Sequence, residues 1–223
     1  MNNMQDFFLN GCSLTALASG ALWWADQQLL CVSDLHLGKS DRIARRRGTL
    51  IPPYENRDTL IRLAADLDRT QAKTVICLGD SFDDLAAAGH LCVEDQGILT
   101  GMQAGRKWIW IEGNHDPGPI DLGGSHLSEY RLGALVFRHI AQEDAVGEVS
   151  GHYHPKARLS VRGRTISRAC FLCDWNRAIL PAYGTYTGGL SCDHPALSGL
   201  MRPEAQAILV GPVPHMIPMP RAA

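Results

Sequence analysis

The stretch that decides the fold is LLCVSDLHLGK at residues 29–39, together with TVICLGD at residues 74–80. Each is a short apolar run that ends in polar residues, which is typical of a strand buried on both faces of a sheet. KWIWIEGNHD at residues 107–116 repeats the pattern. Helix-compatible segments separate the three runs, so the first half of the chain predicts an α/β arrangement.

The neighbouring segments extend this prediction. Residues 40–48, SDRIARRRG, are compatible with a basic helix capped by Ser40, and Pro52 and Pro53 are expected to open a second helix. Residues 84–105 are expected to be largely helical. Short strands are expected within residues 13–34, and again after residue 130 at ALVFRH, AVGEVSGH, ARLSVRG, ACFLC, RAILP and AILVG. With no repeat or linker, we expect layered sheets with outer helices in a single domain over residues 1–223.

Composition limits the class of protein. The 223 residues are 45% hydrophobic and 20% charged, with a formal net charge of -2, so global charge does not favour a polyanionic partner. No apolar run is long enough for a membrane span, and MNNMQDFFLNG lacks a basic signal segment, so we expect a cytoplasmic protein without membrane association. The seven cysteines are expected to be reduced, buried thiols; Cys170 and Cys173 have CxxC spacing but no second pair.

Side chains that bind metals well follow the predicted strands. Each apolar run is followed, directly or within a few residues, by at least one Asp, Asn or His, and the carboxyl ends of strands are where α/β sheets bind ligands. The candidate metal ligands are Asp34, His36, Asp80, Asn114, His139, His152 and His154.

The residue types suit a pair of divalent ions. Imidazole and carboxylate together bind Mn, Fe or Zn. Asp80 can place one oxygen on each of two ions, which lie about 3.5–4 Å apart in such sites. A lone DxH or GHxH motif is weak evidence, because a single Asp can end a strand and a single His can be a satisfied core residue. Four such motifs at four strand ends are difficult to explain by chance. A site with two divalent ions stays positively charged and is therefore expected to hold phosphate.

These motifs resemble those of the calcineurin-like metallophosphoesterase superfamily: SDLHLGK, GDSFDD, GNHD, the separate His139 and GHYH. The resemblance implies a four-layer α/β sandwich, in which two mixed β-sheets are flanked by helices. It also implies two divalent ions, with Mn²⁺ as the first expectation and Fe or Zn as alternatives. Asp80 would bridge them, with Asp34, His36 and His154 on one ion. Asn114, His139 and His152 would hold the other.

The resemblance implies a mechanism as well. A metal-bridging hydroxide attacks phosphorus in line, and His115 protonates or hydrogen-bonds the leaving oxygen. Asp83 and Asp84 are interpreted as supporting or turn residues rather than as ligands. A protein phosphatase is disfavoured, because the third motif ends in Asp116 where that branch usually carries Glu.

A narrower resemblance covers nearly the whole chain. LHLGK with the arginine-rich stretch and PP, GHYHPKAR, and above all LPAYGTYTGGL resemble the bacterial ligase-associated DNA damage response endonucleases. That family implies a Mn-dependent DNA endonuclease in DNA repair, and we expect its substrate to be single-stranded DNA. It also implies functional association with a helicase, an exonuclease and an ATP-dependent ligase. The oligomeric state stays open, with a homodimer as one option.

The individual residues give weaker evidence for a DNA substrate than the resemblance does. Lys39, Arg42, Arg45 and Arg46 (and Arg47) follow the Asp34/His36 loop, so part of this cluster is expected to contact phosphates near the metals. The alternative is a solvated helix face balanced by nearby acids. Tyr186 is a candidate for stacking on the bases of single-stranded DNA, as is Tyr183, for which core packing is an equal alternative.

Two other functions stay open at this point. A small-molecule, nucleotide or lipid-headgroup phosphodiesterase or pyrophosphatase of the same superfamily would have an enclosed apolar pocket over the metals. A non-catalytic scaffold would be expected to lack ligands, and the sequence lacks none of them.

Overall fold

A computed structural model of the protein describes residues 3–118, 121–161 and 163–221. Within this part of the chain, two mixed β-sheets pack face to face. The first sheet comprises β1 to β7, at Met4–Leu9, Cys12–Leu17, Leu22–Trp24, Leu29–Val32, Thr74–Leu78, Lys107–Ile111 and Ser125–Leu127. The second comprises β8 to β15, at Glu129–Leu132, Leu135–Arg138, Glu148–Ser150, Lys156–Val161, Arg164–Cys173, Arg177–Ile179, Gln206–Leu209 and His215–Pro218. The helices α1 to α5 are Lys39–Arg47, Glu55–Thr70, Leu85–Gly89, Val93–Gln103 and Pro195–Ser198.

The direction of the strands determines at which edge of each sheet the loops that carry the candidate ligands emerge. The first sheet follows chain order, antiparallel from β1 to β4 and parallel from β4 to β7. The second has the order β15-β14-β12-β13-β10-β9-β8, with β11 paired to β12, and its parallel pairs are β9 with β10 and β10 with β13. Within each sheet, the carboxyl ends of neighbouring parallel strands lie side by side. The loops after β4, β5 and β6 therefore emerge together, as do those after β9 and β10.

The central strands are buried on both faces, as their continuous apolar runs predict. In β4, Leu30 and Val32 pack in the cluster under the helices, whereas Leu29 and Cys31 pack between the two sheets. Side chains alternate between the faces of a strand, so a strand covered on both sides needs apolar residues at every position. The prediction of layered sheets with outer helices is confirmed.

Helix α2 covers the outer face of the first sheet. Its buried residues Leu60, Leu63 and Leu67 recur at helical spacing, as predicted. Over the second sheet the outer layer is thin: Leu197 of the single-turn α5 packs with Met201 and Met219.

The local predictions had different outcomes. Helix α1 begins at Lys39 after Gly38, and Ser40 is no cap, because its amide and hydroxyl both donate to Glu55. Residues 84–105 are largely helical, as predicted, and form two helices, α3 and α4. The first strand begins at Met4, well before the predicted strands.

Two further predictions have separate outcomes. No helix in the described part of the chain is long and apolar enough to cross a membrane. The single-domain organisation stays a prediction.

Candidate metal centre

The loops after three parallel strands of the first sheet carry Asp34, Asp80 and Asn114. The first two of these loops are joined by backbone hydrogen bonds: the amide of Asp34 donates to the carbonyl of Gly79 (3.2 Å), and that of His36 to the carbonyl of Asp80 (2.9 Å). The strands thus continue to hold each other beyond their last regular pairs. This fixes the spacing of the side chains they carry.

The second sheet contributes the histidines. His139 directly follows β9, and His152 and His154 follow β10. The two sheets meet closely here, because a Cβ added at Gly79 would lie 2.3 Å from Nδ1 of His139. Glycine at residue 79 is therefore needed to bring the two sets of loops together.

Asp34, His36 and His154 form one group, whose ligand atoms all lie within 4.8 Å of one another. Oδ1 of Asp34 is 3.0 Å from Nε2 of His154, yet the two are not aligned for a hydrogen bond. Neither atom has another hydrogen-bond partner within the described residues, and both are buried. Buried polar atoms without partners are costly, and two electron-pair donors facing each other fit a shared cation.

Asp80, His139 and His152 form a second group of the same kind. Nε2 of His139 lies 3.4 Å from Oδ2 of Asp80, 3.3 Å from Nδ1 of His152 and 3.0 Å from Oδ1 of Asn114. Nδ1 of His139 donates to the carbonyl of Leu78 (3.0 Å), which turns Nε2 towards the other three side chains. The seven predicted ligands thus lie in two adjoining groups.

The electrostatics of the two groups favour positive charge between them. Burial alone would raise the pKa of Asp80, but its hydrogen bond to His139 and the amide of His115 outweigh burial and lower it to about 2. Burial would lower the pKa of His139, yet Asp80 and Asp34 raise it to about 9. Burial also opposes ionisation of Asp34, but the neighbouring His154 and His139 lower its pKa. Both carboxylates therefore stay ionised and attract a cation, which is the condition for a metal site.

The backbone is strained at this site. Asp34, His36, Asp80, His152 and His154 all have left-handed φ angles, between 45° and 67°. Such conformations cost non-glycine residues free energy and cluster at functional sites. Five of the seven candidate ligands share this strain, which the sequence motifs did not predict.

His115 lies beside both groups and is partly exposed. Its Nδ1 is 2.9 Å from the carbonyl oxygen of Asp83, so Nδ1 carries a hydrogen. Nε2 faces the site, 4.0 Å from Oδ2 of Asp80. This nitrogen is thus available to a bound substrate.

Asp83 and Asp84, interpreted from the sequence as supporting or turn residues, have different surroundings. Asp83 also falls in a third group of candidate ligand atoms, with His36 and His115, so its supporting role stays a prediction. Oδ1 of Asp83 is 2.9 Å from Nδ1 of His36, and Arg42 donates to its other oxygen. Asp84 caps α3 by accepting from the amide of Ala87 (2.8 Å).

Asp116 is a supporting residue that the motif reading did not identify. Its carboxylate accepts hydrogen bonds from the amides of Asp80, Ser81, Phe82 and Gly113, at 2.8–3.1 Å. It thereby ties the loop after β5 to the loop after β6. Burial, with the charge of Asp80, raises its pKa to about 6.

The predicted basic cluster is partly neutralised. Arg42 pairs with Asp83, with Lys39 at 3.8 Å from the same carboxylate, and Arg45 pairs with Asp41 and Asp84. Among the described side chains of the cluster, that of Arg46 is the most open, at 63% exposed and 3.8 Å from Asp84. Lys39, Arg42 and Arg46 still line a small pocket of about 240 Å³. The side chain of Arg47 lies outside the described part of the chain.

The segment LPAYGTYTGGLSC, residues 180–192 and here called the tail segment, lies against the metal loops. The amide of Gly184 donates to the carbonyl of Asp34 (3.1 Å), and that of Leu190 to Tyr153 (3.1 Å). A Cβ added at Gly184 would lie 2.0 Å from the carbonyl oxygen of Leu35, and one at Gly189 would lie 2.0 Å from that of His154. These glycines thus permit close packing on the loops that carry candidate ligands.

The tyrosines of the tail segment separate into two environments. Tyr183 is 2% exposed and donates to Asp66 (2.9 Å), so it packs in the core and is not available for base stacking. Tyr186 is 42% exposed.

The contacts between cysteines differ from those that the CxxC spacing of Cys170 and Cys173 suggests. Cys170 lies 3.5 Å from Cys192, Sγ to Sγ, rather than against Cys173. All seven are free thiols, but not all are buried as expected, since Cys92 is exposed and Cys12 half-buried.

Comparison with known proteins agrees with this geometry. The model of the calcineurin-like phosphoesterase family matches residues 28–177. Among solved structures, the crystal structure of Pseudomonas putida nuclease MPE is similar, with 28% sequence identity and a TM-score of 0.73. The alignment covers 96% of this chain and 100% of that one. No curated protein matches.

Proposed function

Because the chain belongs to the calcineurin-like phosphoesterase family and is a metal-dependent phosphodiesterase, we propose that it is a DNA endonuclease that cuts single-stranded DNA during repair. The likeness to a nuclease over nearly its full length carries this proposal. The proposal includes Mn²⁺ as the native metal, and cooperation with a helicase, an exonuclease and an ATP-dependent ligase.

Each residue of the site has a role in this chemistry. Asp34, His36 and His154 would hold one ion and Asn114, His139 and His152 the other, with Asp80 between them. Bound ions supply Lewis acidity, which lowers the pKa of water and neutralises charge on phosphate oxygens.

His115 would act on the leaving group. As the water oxygen bonds to phosphorus, the ester bond to the leaving sugar oxygen breaks, and that oxygen needs a proton. When both ring nitrogens of His115 carry a hydrogen, Nε2, which faces the site, can donate its proton to that oxygen and leave a neutral ring, while Nδ1 donates to the carbonyl oxygen of Asp83. The proton released by the attacking water passes to solvent.

The surroundings of the site favour a polymer over an enclosed small molecule. The pocket beside Asn114 and His139, of about 500 Å³, is open and has Glu112, Glu129 and Arg138 among its lining residues. This differs from the enclosed apolar pocket expected of a small-molecule or lipid-headgroup enzyme. Arg46 and the pocket it lines with Lys39 and Arg42 supply cationic contacts for phosphates.

The decisive test uses a circular single-stranded DNA, which has no ends for an exonuclease. We expect linear product with Mn²⁺ and none with EDTA, and no cleavage by an Asp80→Ala variant purified in parallel, which controls for contaminating nucleases. An intact circle, alongside hydrolysis of a small chromogenic diester, would reject the endonuclease and favour a small-molecule phosphodiesterase.

A further inference from the structure

Tyr186 combines exposure with backbone strain. Its side chain is 42% exposed, and its φ is 64°, in the left-handed region that bulky residues rarely adopt. A strained residue persists only where its surroundings hold it. Here the strain presents an aromatic ring to solvent instead of burying it, so core packing does not explain the arrangement.

The residues on either side of Tyr186 are held by hydrogen bonds. The amide of Thr185 donates to Oγ1 of Thr59 (3.2 Å), and its hydroxyl donates to Asp58 (2.5 Å). The hydroxyl of Thr187 donates to the carbonyl of Gly184 (2.9 Å), and Lys156 donates to the carbonyl of Thr187 (3.3 Å). Tyr186 is thus the tip of a braced turn.

That turn lies next to the candidate metal centre. The amide of Gly184, two residues before Tyr186, donates a hydrogen bond to the carbonyl of Asp34. Gly189, three residues after it, packs against the carbonyl of His154. The turn therefore spans the two loops that carry the first group of candidate ligands.

A second exposed tyrosine lies on the helix that supports this turn. Thr185 docks on the first turn of α2 through Asp58 and Thr59, and Tyr54, which is 63% exposed, directly precedes that helix. Aromatic rings presented beside a phosphodiesterase site, with the cation Lys156 adjoining, match the way proteins hold unpaired bases. In a duplex, neighbouring base pairs cover the base faces, so such a ring favours single strands.

We propose that Tyr186 stacks on an unpaired nucleobase next to the scissile phosphate, with Tyr54 extending the same surface, and that this contact selects single-stranded substrate. The inference rests on the proposed endonuclease function and names the residue that recognises the substrate class.

The test compares removal of the Tyr186 ring from the protein with removal of a single base from the substrate. A single-stranded oligonucleotide is mapped for its main cleavage position, and abasic sites are then placed singly on either side of it. We expect Tyr186→Asn to lower kcat/KM roughly tenfold on the intact oligonucleotide, whereas Tyr186→Phe retains it. Asn is chosen because it tolerates left-handed φ. At one abasic position, wild type and Tyr186→Asn should become equal.

Controls separate stacking from damage to the fold. Trp175 is 64% exposed but precedes β13, at the end of that strand opposite to the metal loops, so Trp175→Ala should cleave like wild type. Melting temperature and bound Mn²⁺ are measured for each variant. A tenfold loss that persists at every abasic position, or no loss in Tyr186→Asn, would reject the stacking role while wild-type cleavage still supports the endonuclease. Absence of wild-type cleavage of any DNA would reject both.

Discussion

One ring nitrogen of His115 is held by a hydrogen bond, and the other faces the site. Because Nδ1 is held by the carbonyl of Asp83, substitution removes the Nε2 donor without removing any of the seven candidate ligands. We predict that His115→Ala retains bound metal but loses about 10²- to 10⁴-fold in diesterase kcat, the usual contribution of a general acid. Metal analysis and turnover of a small diester measure the two effects. Wild-type turnover in this variant would remove His115 from the mechanism.

Asp83 and Asp84 are neighbours in sequence with different tasks, which makes them a matched pair. Asp83 lies beside His36, whereas Asp84 caps α3, and Asn is as good a cap as Asp. We predict that Asp83→Asn weakens Mn²⁺ binding by about 10- to 100-fold, as for other residues that orient metal-binding histidines. Asp84→Asn should bind as wild type does. Calorimetric titration checks both, and equal affinities would show that Asp83 does not orient His36.

At the scale of elements, α1 shows how a basic sequence differs from a basic surface. Its arginines suggested a uniform grip on DNA, but Arg42 and Arg45 are paired with Asp83, Asp41 and Asp84. Arg46 is the most exposed of the described arginines of α1, although Asp84 lies 3.8 Å away. Contact of α1 with DNA stays a prediction, which now concerns Arg46 most directly.

The tail segment braces the metal loops, and two of its glycines allow this to be tested. A Cβ at Gly184 would collide with the carbonyl of Leu35, whereas one at Gly188 would meet nothing within 4 Å. We predict that Gly184→Ala lowers both melting temperature and Mn²⁺ affinity, because the loop that carries Asp34 and His36 must move. Gly188→Ala serves as the control and should resemble wild type. If both variants bind Mn²⁺ normally, the tail segment does not brace the site.

At the scale of the whole molecule, the site exists because two sheets present their strand ends to each other. Asp34, Asp80 and Asn114 come from the first sheet, and His139, His152 and His154 from the second. A net charge of -2 is compatible with a phosphate substrate because the cation site is local. Burying carboxylates and straining loops cost free energy, and the apolar packing between the two sheets offsets that cost.

Sequence determined the chemistry of this protein through residue types at strand ends. Apolar runs specified buried strands, and the Asp, Asn and His residues after them identified both the family and the candidate ligands. These are local patterns, because strand period and ligand preference depend on few neighbouring residues.

Only the tertiary structure decided how those residues act together. The left-handed φ angles of five candidate ligands became visible only in the structure. Three sets of contacts also join segments distant in the chain: the hydrogen bonds of Asp116 to the loop after β5, that of Tyr183 to Asp66, and the approach of Cys170 to Cys192. Such contacts depend on which surfaces meet when the sheets pack, and no local pattern encodes that meeting. The same packing neutralised much of α1 and placed the tail segment against the metal loops.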